Sequence, residues 1–78
     1  MIYIDEYKIY INPKLVESIE LIEEVEDYYG PRKWVVYINT MKTAYKYYSD
    51  MDFKKAQKVQ EGLIDTIING YIWRDKNE

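Results

Sequence analysis

The chain has 78 residues and a formal net charge of −3, with ten tyrosines but neither cysteine nor histidine. A chain of this length predicts a single domain over residues 1–78, near the size at which association between copies often adds stability. Disulfides, thiolate metal sites and histidine bases are excluded, so we expect no enzyme, no metal site and no cofactor.

Charge is distributed unevenly along the chain. Residues 1–30 carry two basic and eight acidic side chains, a net −6, whereas residues 31–78 carry nine basic and six acidic side chains, a net +3. This asymmetry favours an acidic partner-facing surface or contact between copies. No window approaches the roughly 18 apolar residues of a membrane span, and the N-terminus does not resemble a signal peptide, so we expect a cytoplasmic protein with no membrane contact. Heavy use of Lys, Ile, Asn and Tyr suggests a low-GC bacterium or its phages.

The first twelve residues predict two short strands, Ile2–Ile4 and Tyr7–Ile11, around the polar pair Asp5 and Glu6. Alternation in the second strand places Tyr7, Ile9 and Ile11 on one face. Asn12 and Pro13 end it, because proline lacks a main-chain donor for the ladder.

Residues 14–29 are ambiguous between helix and strand. As a helix they begin after Pro13, place apolar residues at helical spacing and end at Gly30. As a strand from about residue 17 to 27, they form a hairpin through residues 29–32 that sets Val25 opposite Val36 and Leu21 opposite Thr40. The strand alternative aligns the apolar faces of both strands, and we favour it.

Residues 11–20, which read INPKLVESIE, resemble small bacterial proteins of the flagellar FlbD type and similar short phage-encoded proteins. In those proteins a strand leads through an Asn-Pro link into a β-meander that one helix closes. This chain has residues 40–43, TMKT, in place of the compact Asn-Gly turn expected there. The resemblance therefore implies topology only.

Residues 34–49 predict the central hairpin, with β-branched and aromatic runs around a polar turn at residues 40–43. A C-terminal helix is predicted near residues 53–69, with Asp52 as its N-cap and a stop at Asn69-Gly70. Its apolar stripe comprises Phe53, Ala56, Val59, Leu63, Ile64 and Ile67. Gly62 inside this helix should cost roughly 1 kcal/mol relative to alanine. Close packing of the helix on the sheet or on a second copy would explain it, and so would sequence drift.

One helix covers one face of the sheet, which we expect to include Ile19, Leu21, Val25, Val36, Ile38, Tyr45 and Tyr47. The opposite face would then show Ile22, Val35, Tyr37, Lys46 and Tyr48 beside Glu20, Glu24 and Glu26. The predicted partner-binding set comprises Val35, Tyr37, Lys46 and Tyr48 with Trp73 of the C-terminal tail, because tyrosine gives large contact area with little loss of rotamer freedom. The alternative is that the N-terminal strands fold across this face and bury it.

Two charged features suggest other functions. Glu20, Glu24 and Glu26 would form a row of carboxylates on a strand, which could imitate nucleic-acid phosphates or only discourage aggregation at a sheet edge. Lys54, Lys55 and Lys58 in the first helical turns, with Arg32, could hold a nucleotide-like anion at the helix N-terminus. Direct nucleic-acid binding is disfavoured by the acidic balance.

These patterns predict an α+β fold: an antiparallel meander of four or five strands with one C-terminal helix on one face. The alternative order is β-α-β-β-α. The predicted function is a small non-enzymatic protein-interaction module that binds through a tyrosine-rich sheet face, acts as a homodimer, and in its most concrete form is a phage inhibitor of a host enzyme or defence complex. A small-ligand binder and an acidic nucleic-acid mimic are the alternatives.

Overall fold

The computed structural model describes residues 1–25 and 27–77, and within these the side chains of residues 1–25 and 27–69. Its elements are strands β1 (Ile2–Ile4) and β2 (Ile9–Ile11), a 3₁₀ turn (Pro13–Leu15), strands β3 (Val16–Val25), β4 (Arg32–Thr40) and β5 (Ala44–Asp50), and helix α1 (Phe53–Asn77). The strands form two antiparallel sheets, β1–β2 and β3–β4–β5, with β4 in the centre of the second. The predicted α+β class, with five antiparallel strands and one C-terminal helix, is confirmed, and the strands divide into a hairpin and a three-stranded meander. The alternative that made residues 14–29 a helix is wrong.

β1 and β2 pair with Ile2 opposite Ile11 and Ile4 opposite Ile9. This register gathers the isoleucines on one side and leaves Tyr3 and Tyr10 on the other, where their ring centroids are 4.8 Å apart. The turn between the strands is closed by a hydrogen bond from Lys8 N to Asp5 O, and Lys8 takes a positive φ of 54°. The second strand was predicted to begin at Tyr7. It begins at Ile9 instead, because Lys8 belongs to the turn.

β3 alternates as the strand interpretation predicted, since Ile19 and Leu21 pack against the core. Its predicted register was wrong: Leu21 lies opposite Val36, and Val25 lies opposite Arg32. The tight turn runs from Asp27 to Gly30, whose N–H donates to Asp27 O at 2.9 Å. Aspartate first and glycine fourth are the residues that a β-turn favours, and this turn shifts the pairing by four residues without exchanging the faces.

Helix α1 begins where the sequence predicted. Asp52 Oδ1 accepts from the N–H of Lys54 at 2.9 Å, which is the N-cap hydrogen bond. Phe53 in the first turn packs edge-to-face on Trp34 of β4, with ring centroids 4.7 Å apart. The predicted stop at Asn69-Gly70 was wrong, because α1 continues to Asn77. Glycine ends a helix by taking a left-handed conformation, and no glycine in the described ranges has a positive φ.

One hydrophobic cluster holds these elements together. It comprises Ile2, Ile4 and Ile11 of the N-terminal hairpin, Val36 and Ile38 of β4, and Ala56, Leu63 and Ile67 of α1. The N-terminal hairpin and α1 therefore pack on the same side of β3–β4–β5. The alternative in which the N-terminal strands cover the opposite face is wrong.

Gly62 does not mark close packing of the helix on the sheet. A β-carbon built at Gly62 meets nothing within 4 Å, and the residue is exposed. Replacing Gly62 with alanine should stabilise the protein by about 0.5–1 kcal/mol, because alanine restricts the unfolded chain and favours the helix. Urea denaturation measures this effect. A loss of stability or of self-association in Gly62→Ala would show that a second copy packs there.

The two faces of the large sheet should respond differently to the same truncation. Ile38 is fully buried under the helix, whereas Ile22 on the other face is 39% exposed. Ile38→Ala should cost about 3–4 kcal/mol because it leaves a cavity, and Ile22→Ala should cost about 1 kcal/mol. Equal losses in chemical denaturation would contradict the one-sided cover.

Candidate protein-binding surface

The candidate surface is the side of β3–β4–β5 that faces away from α1 and the N-terminal hairpin. We call it the uncovered face, and its residues are Ser18, Glu20, Ile22 and Glu24 of β3, Lys33, Val35, Tyr37 and Asn39 of β4, and Ala44, Lys46 and Ser49 of β5. They alternate with the residues that join the hydrophobic cluster. Of the predicted partner-binding set, Val35, Tyr37 and Lys46 lie on this face.

At the centre of the uncovered face, three polar side chains contact one another beside the buried residue Val35. Tyr37 donates its hydroxyl hydrogen to the carboxylate of Glu24, and Lys46 Nζ lies 3.6 Å from the other oxygen of that carboxylate. Tyr37 is paired across the strands with Glu20, four residues before Glu24. Its ring must therefore extend along the sheet past Val35, which is fully buried although it faces away from the hydrophobic cluster. Three long side chains thus seal the middle of the face.

This environment changes the acidity of the tyrosine. The hydrogen bond to Glu24, then burial and the negative charge of the same carboxylate, raise the pKa of Tyr37 to about 12. Smaller contributions come from Tyr7 and Glu6.

A second hydrogen-bonded group occupies the end of the face near the β4–β5 turn. Asn39 Nδ2 donates to Ser18 Oγ at 3.0 Å and to the carboxylate of Glu20. Of the predicted acidic row, Glu20 and Glu24 lie together on the uncovered face, while Glu26 lies outside the described residues. Both described carboxylates already accept hydrogen bonds, and Lys46 offsets one charge, so they differ from a row of free phosphate-like groups.

Tyr48 was predicted on this face, and that placement was wrong. A β-bulge between Val36 and Tyr37 makes Tyr47 the extra residue of β5, so that Tyr48 lies opposite Val36 and packs against the core cluster. Its hydroxyl donates to Asp50 Oδ2 at 2.6 Å. This hydrogen bond raises the pKa of Tyr48 and lowers the pKa of Asp50. Among the side chains that the structure describes, Tyr37 is therefore the one tyrosine of the uncovered face, and the side chain of Trp73 lies outside them.

The predicted anion site at the start of α1 is occupied by the protein's own carboxylates. Asp52 caps the helix, and Asp50 Oδ1 accepts from the N–H of Asp52 at 2.9 Å. Arg32 forms an ion pair with Glu23 at 3.0 Å. Lys54, Lys55 and Lys58 are exposed on the helix surface. Binding of an anion there stays a prediction, and it would have to compete with two aspartates.

A cleft that the sequence did not predict lies at the opposite end of the sheet. We call it the end cleft; it has a volume of about 500 Å³ and is bounded by β2, the 3₁₀ turn, the start of β3 and the β4–β5 turn. Tyr10, Leu15 and Met41 on its walls are largely exposed. The sequence offered one signal for this cleft: the large apolar residues Leu15, in the link after Pro13, and Met41, in the polar turn at residues 40–43. Only the tertiary fold shows that these two residues line the same cleft.

Comparison with known proteins identifies no relative: no family model, curated protein or solved structure matches the chain. The resemblance of residues 11–20 to FlbD-type proteins stays a prediction. In the described part of the chain, no helix is long and apolar enough to cross a membrane, and no three metal-binding side chains form a group.

The tyrosine at the centre of the face gives a direct test of its geometry. Glu24→Gln should lower the pKa of Tyr37 from about 12 toward its ordinary value near 10, because the charge that favours the neutral phenol is lost. Nuclear magnetic resonance of ¹³C-labelled tyrosine, assigned with Tyr37→Phe, measures the pKa. A raised folded-state pKa also means that stability falls as pH rises from about 10 to 12, and this fall should be shallower in Tyr37→Phe. An unchanged pKa in Glu24→Gln would contradict the contact.

Proposed function

We propose that this chain is a non-enzymatic protein-binding module and that it binds its partner through the uncovered face. The observation that carries the proposal is the one-sided cover of the sheet: α1 and the N-terminal hairpin both pack on the other side. A sheet face left open on a small protein is a natural docking surface for another chain.

The hydrogen-bonded groups on the face support binding because they fix side chains in advance. Glu20 and Glu24 are each held by a neighbouring strand, through Asn39 and through Tyr37 with Lys46. Side chains that are already ordered lose less conformational entropy when a partner binds. Charged groups of both signs in fixed positions also favour one orientation of the partner over nonspecific binding.

The surface continues onto the tip of the β3–β4 hairpin. Tyr28 and Tyr29 are 88% and 91% exposed, and their rings pack edge-to-face with centroids 5.0 Å apart. Val25 beside them is half exposed. Tyrosine is enriched among residues that dominate binding energy, so the tip adds two exposed aromatic side chains to Tyr37 at the centre of the face.

A second copy of the chain is one partner that fits the face. Stacking two faces about a twofold axis parallel to the strands places β3 over β5 of the other copy, so that Glu20 and Glu24 approach Lys46. An axis across the strands would place β3 over β3 and bring like charges together. Three strands of about nine residues offer only about 400 Å² per copy, about 800 Å² in total. Stable complexes bury about 1,200–2,000 Å², so a homodimer through this face alone should be weak.

The most specific form of the proposal is a phage-encoded inhibitor that acts in the bacterial cytoplasm by covering a surface of a host enzyme or defence complex. It rests on the composition of the chain and on the small size of the module. The uncovered face and the tyrosine tip would be the inhibitory surface.

Arginine substitutions on opposite sides of the molecule test the proposal. Ile22 lies on the uncovered face, and Ile64, which was predicted within the apolar stripe, lies at the flank of the buried side of α1. Their exposure is nearly equal, 39% and 38%. Immobilised wild-type protein should retain a specific partner from a lysate of the source cells. Ile22→Arg should weaken this binding at least about tenfold by placing a charge at the centre of the interface, while Ile64→Arg should retain it.

The same two variants in sedimentation velocity report any self-association. Circular dichroism of each variant checks that the fold is kept. Loss of the partner in Ile64→Arg with retention in Ile22→Arg, or capture of no specific protein, would overturn the proposal.

A further inference from the structure

The end cleft has the dimensions and lining of a small-ligand site. Its volume of about 500 Å³ lies within the range of about 300–1,000 Å³ found for ligand pockets. Its walls include Ile9, Leu15, Met41 and Tyr45, and the rim carries polar side chains from two different segments. It lies away from the start of α1, where an anion site was predicted.

The two lips of the cleft are held in place by local hydrogen bonds. Asn12 Oδ1 accepts from the N–H of Lys14 at 3.0 Å and Asn12 O accepts from the N–H of Leu15 at 2.9 Å, which fixes the 3₁₀ turn. On the other side, Thr40 Oγ1 accepts from the N–H groups of Lys42 and Thr43 at 3.3 and 3.2 Å. Both lips are therefore ordered without a ligand.

Aromatic packing fixes two of the walls as well. Tyr10 packs against Tyr3 with the ring planes tilted by 56°, and Tyr45 meets Tyr7 edge-to-face with ring centroids 5.3 Å apart. These contacts hold apolar ring surface toward the cleft while Leu15 and Met41 remain open to solvent. Exposed apolar side chains around an ordered concave site favour an apolar ligand.

The charges on the rim select the sign of that ligand. Lys14 lies on the 3₁₀ turn and Lys42 on the β4–β5 turn, so that each lip carries one ammonium group. Glu17 is the acidic residue among the lining side chains, and the site is net positive by one charge. An anion is therefore favoured over a cation.

We propose that the end cleft binds a medium-chain aliphatic carboxylate, with the alkyl chain along Leu15, Met41 and Tyr45 and the carboxylate between Lys14 and Lys42. The chain gains affinity by removing apolar surface from water. Each added methylene that enters the cleft should tighten binding about twofold to fourfold. The lysines orient the ligand and add a smaller, salt-dependent contribution.

Methionine methyl resonances provide an internal control for this proposal. Met41 lines the cleft, whereas Met51 lies between β5 and α1, at the other end of the sheet. Titration of ¹³C-methyl-methionine protein with hexanoate, octanoate and decanoate should shift the Met41 resonance to saturation, with affinity rising along the series. The resonance of Met51 should stay in place. Decylamine, which has the opposite charge, should bind more weakly than decanoate.

Two variants locate the site. Leu15→Glu should abolish the Met41 shift by placing a carboxylate in the apolar wall, and its exposed position should leave the fold intact. Lys14→Glu should weaken decanoate binding by about twofold to fivefold, while Lys8→Glu, at an exposed lysine in the β1–β2 turn, should not. A Met41 shift no larger than that of Met51, equal binding of decylamine, or full binding by Leu15→Glu would overturn the proposal. Ile22→Arg should bind decanoate normally, so that this test and the test of the uncovered face fail independently.

Discussion

The burial of β4 is the constraint on which the rest of this structure depends. Val35, Val36 and Ile38 are all fully buried, although they point to both sides of the sheet. A helix with its side chains is about 10–12 Å wide, which is not enough to cover three strands together with their side chains. Ile2, Ile4 and Ile11 of the N-terminal hairpin complete the layer beside α1. With both covering elements on one side, the chain must protect Val35 on the other side with its own polar side chains.

This requirement explains why the uneven charge along the sequence does not become an equally uneven surface. β3 is strongly acidic, but antiparallel pairing brings it beside the basic beginning of β4 and within reach of β5. Glu23 meets Arg32, and Glu24 meets Lys46 through the space above Val35. Ion pairs of this exposure contribute little to stability. Their main effect is to fix side-chain positions, which turns an acidic strand into a patterned surface of both signs.

Features with local causes could be predicted from the sequence, and those that depend on distant residues could not. The strands around residues 40–43 and the cap at Asp52 follow from alternation and from side-chain hydrogen bonds within a few residues. The register of β3 on β4 was wrong because two pairings four residues apart preserve the same alternation, and only the turn from Asp27 to Gly30 distinguishes them. The bulge at Tyr47 could not be predicted, because it depends on whether Tyr48 gains more by packing on the core than by facing solvent. That one residue decided how many tyrosines the uncovered face contains.

The same strand β5 serves both proposed surfaces, and its alternation keeps them separate. Tyr45 lies opposite Ile38 and forms a wall of the end cleft, whereas Lys46 lies opposite Tyr37 and closes the centre of the uncovered face. The turn between β1 and β2 lies beside this strand, since Tyr7 packs edge-to-face on Tyr45 with ring centroids 5.3 Å apart. Coupling between two sites requires an element with two arrangements that each ligand favours differently. Tyr7 is instead held by a turn with its own hydrogen bond and by a packed aromatic contact, so a partner on the uncovered face and a ligand in the end cleft should bind without affecting each other.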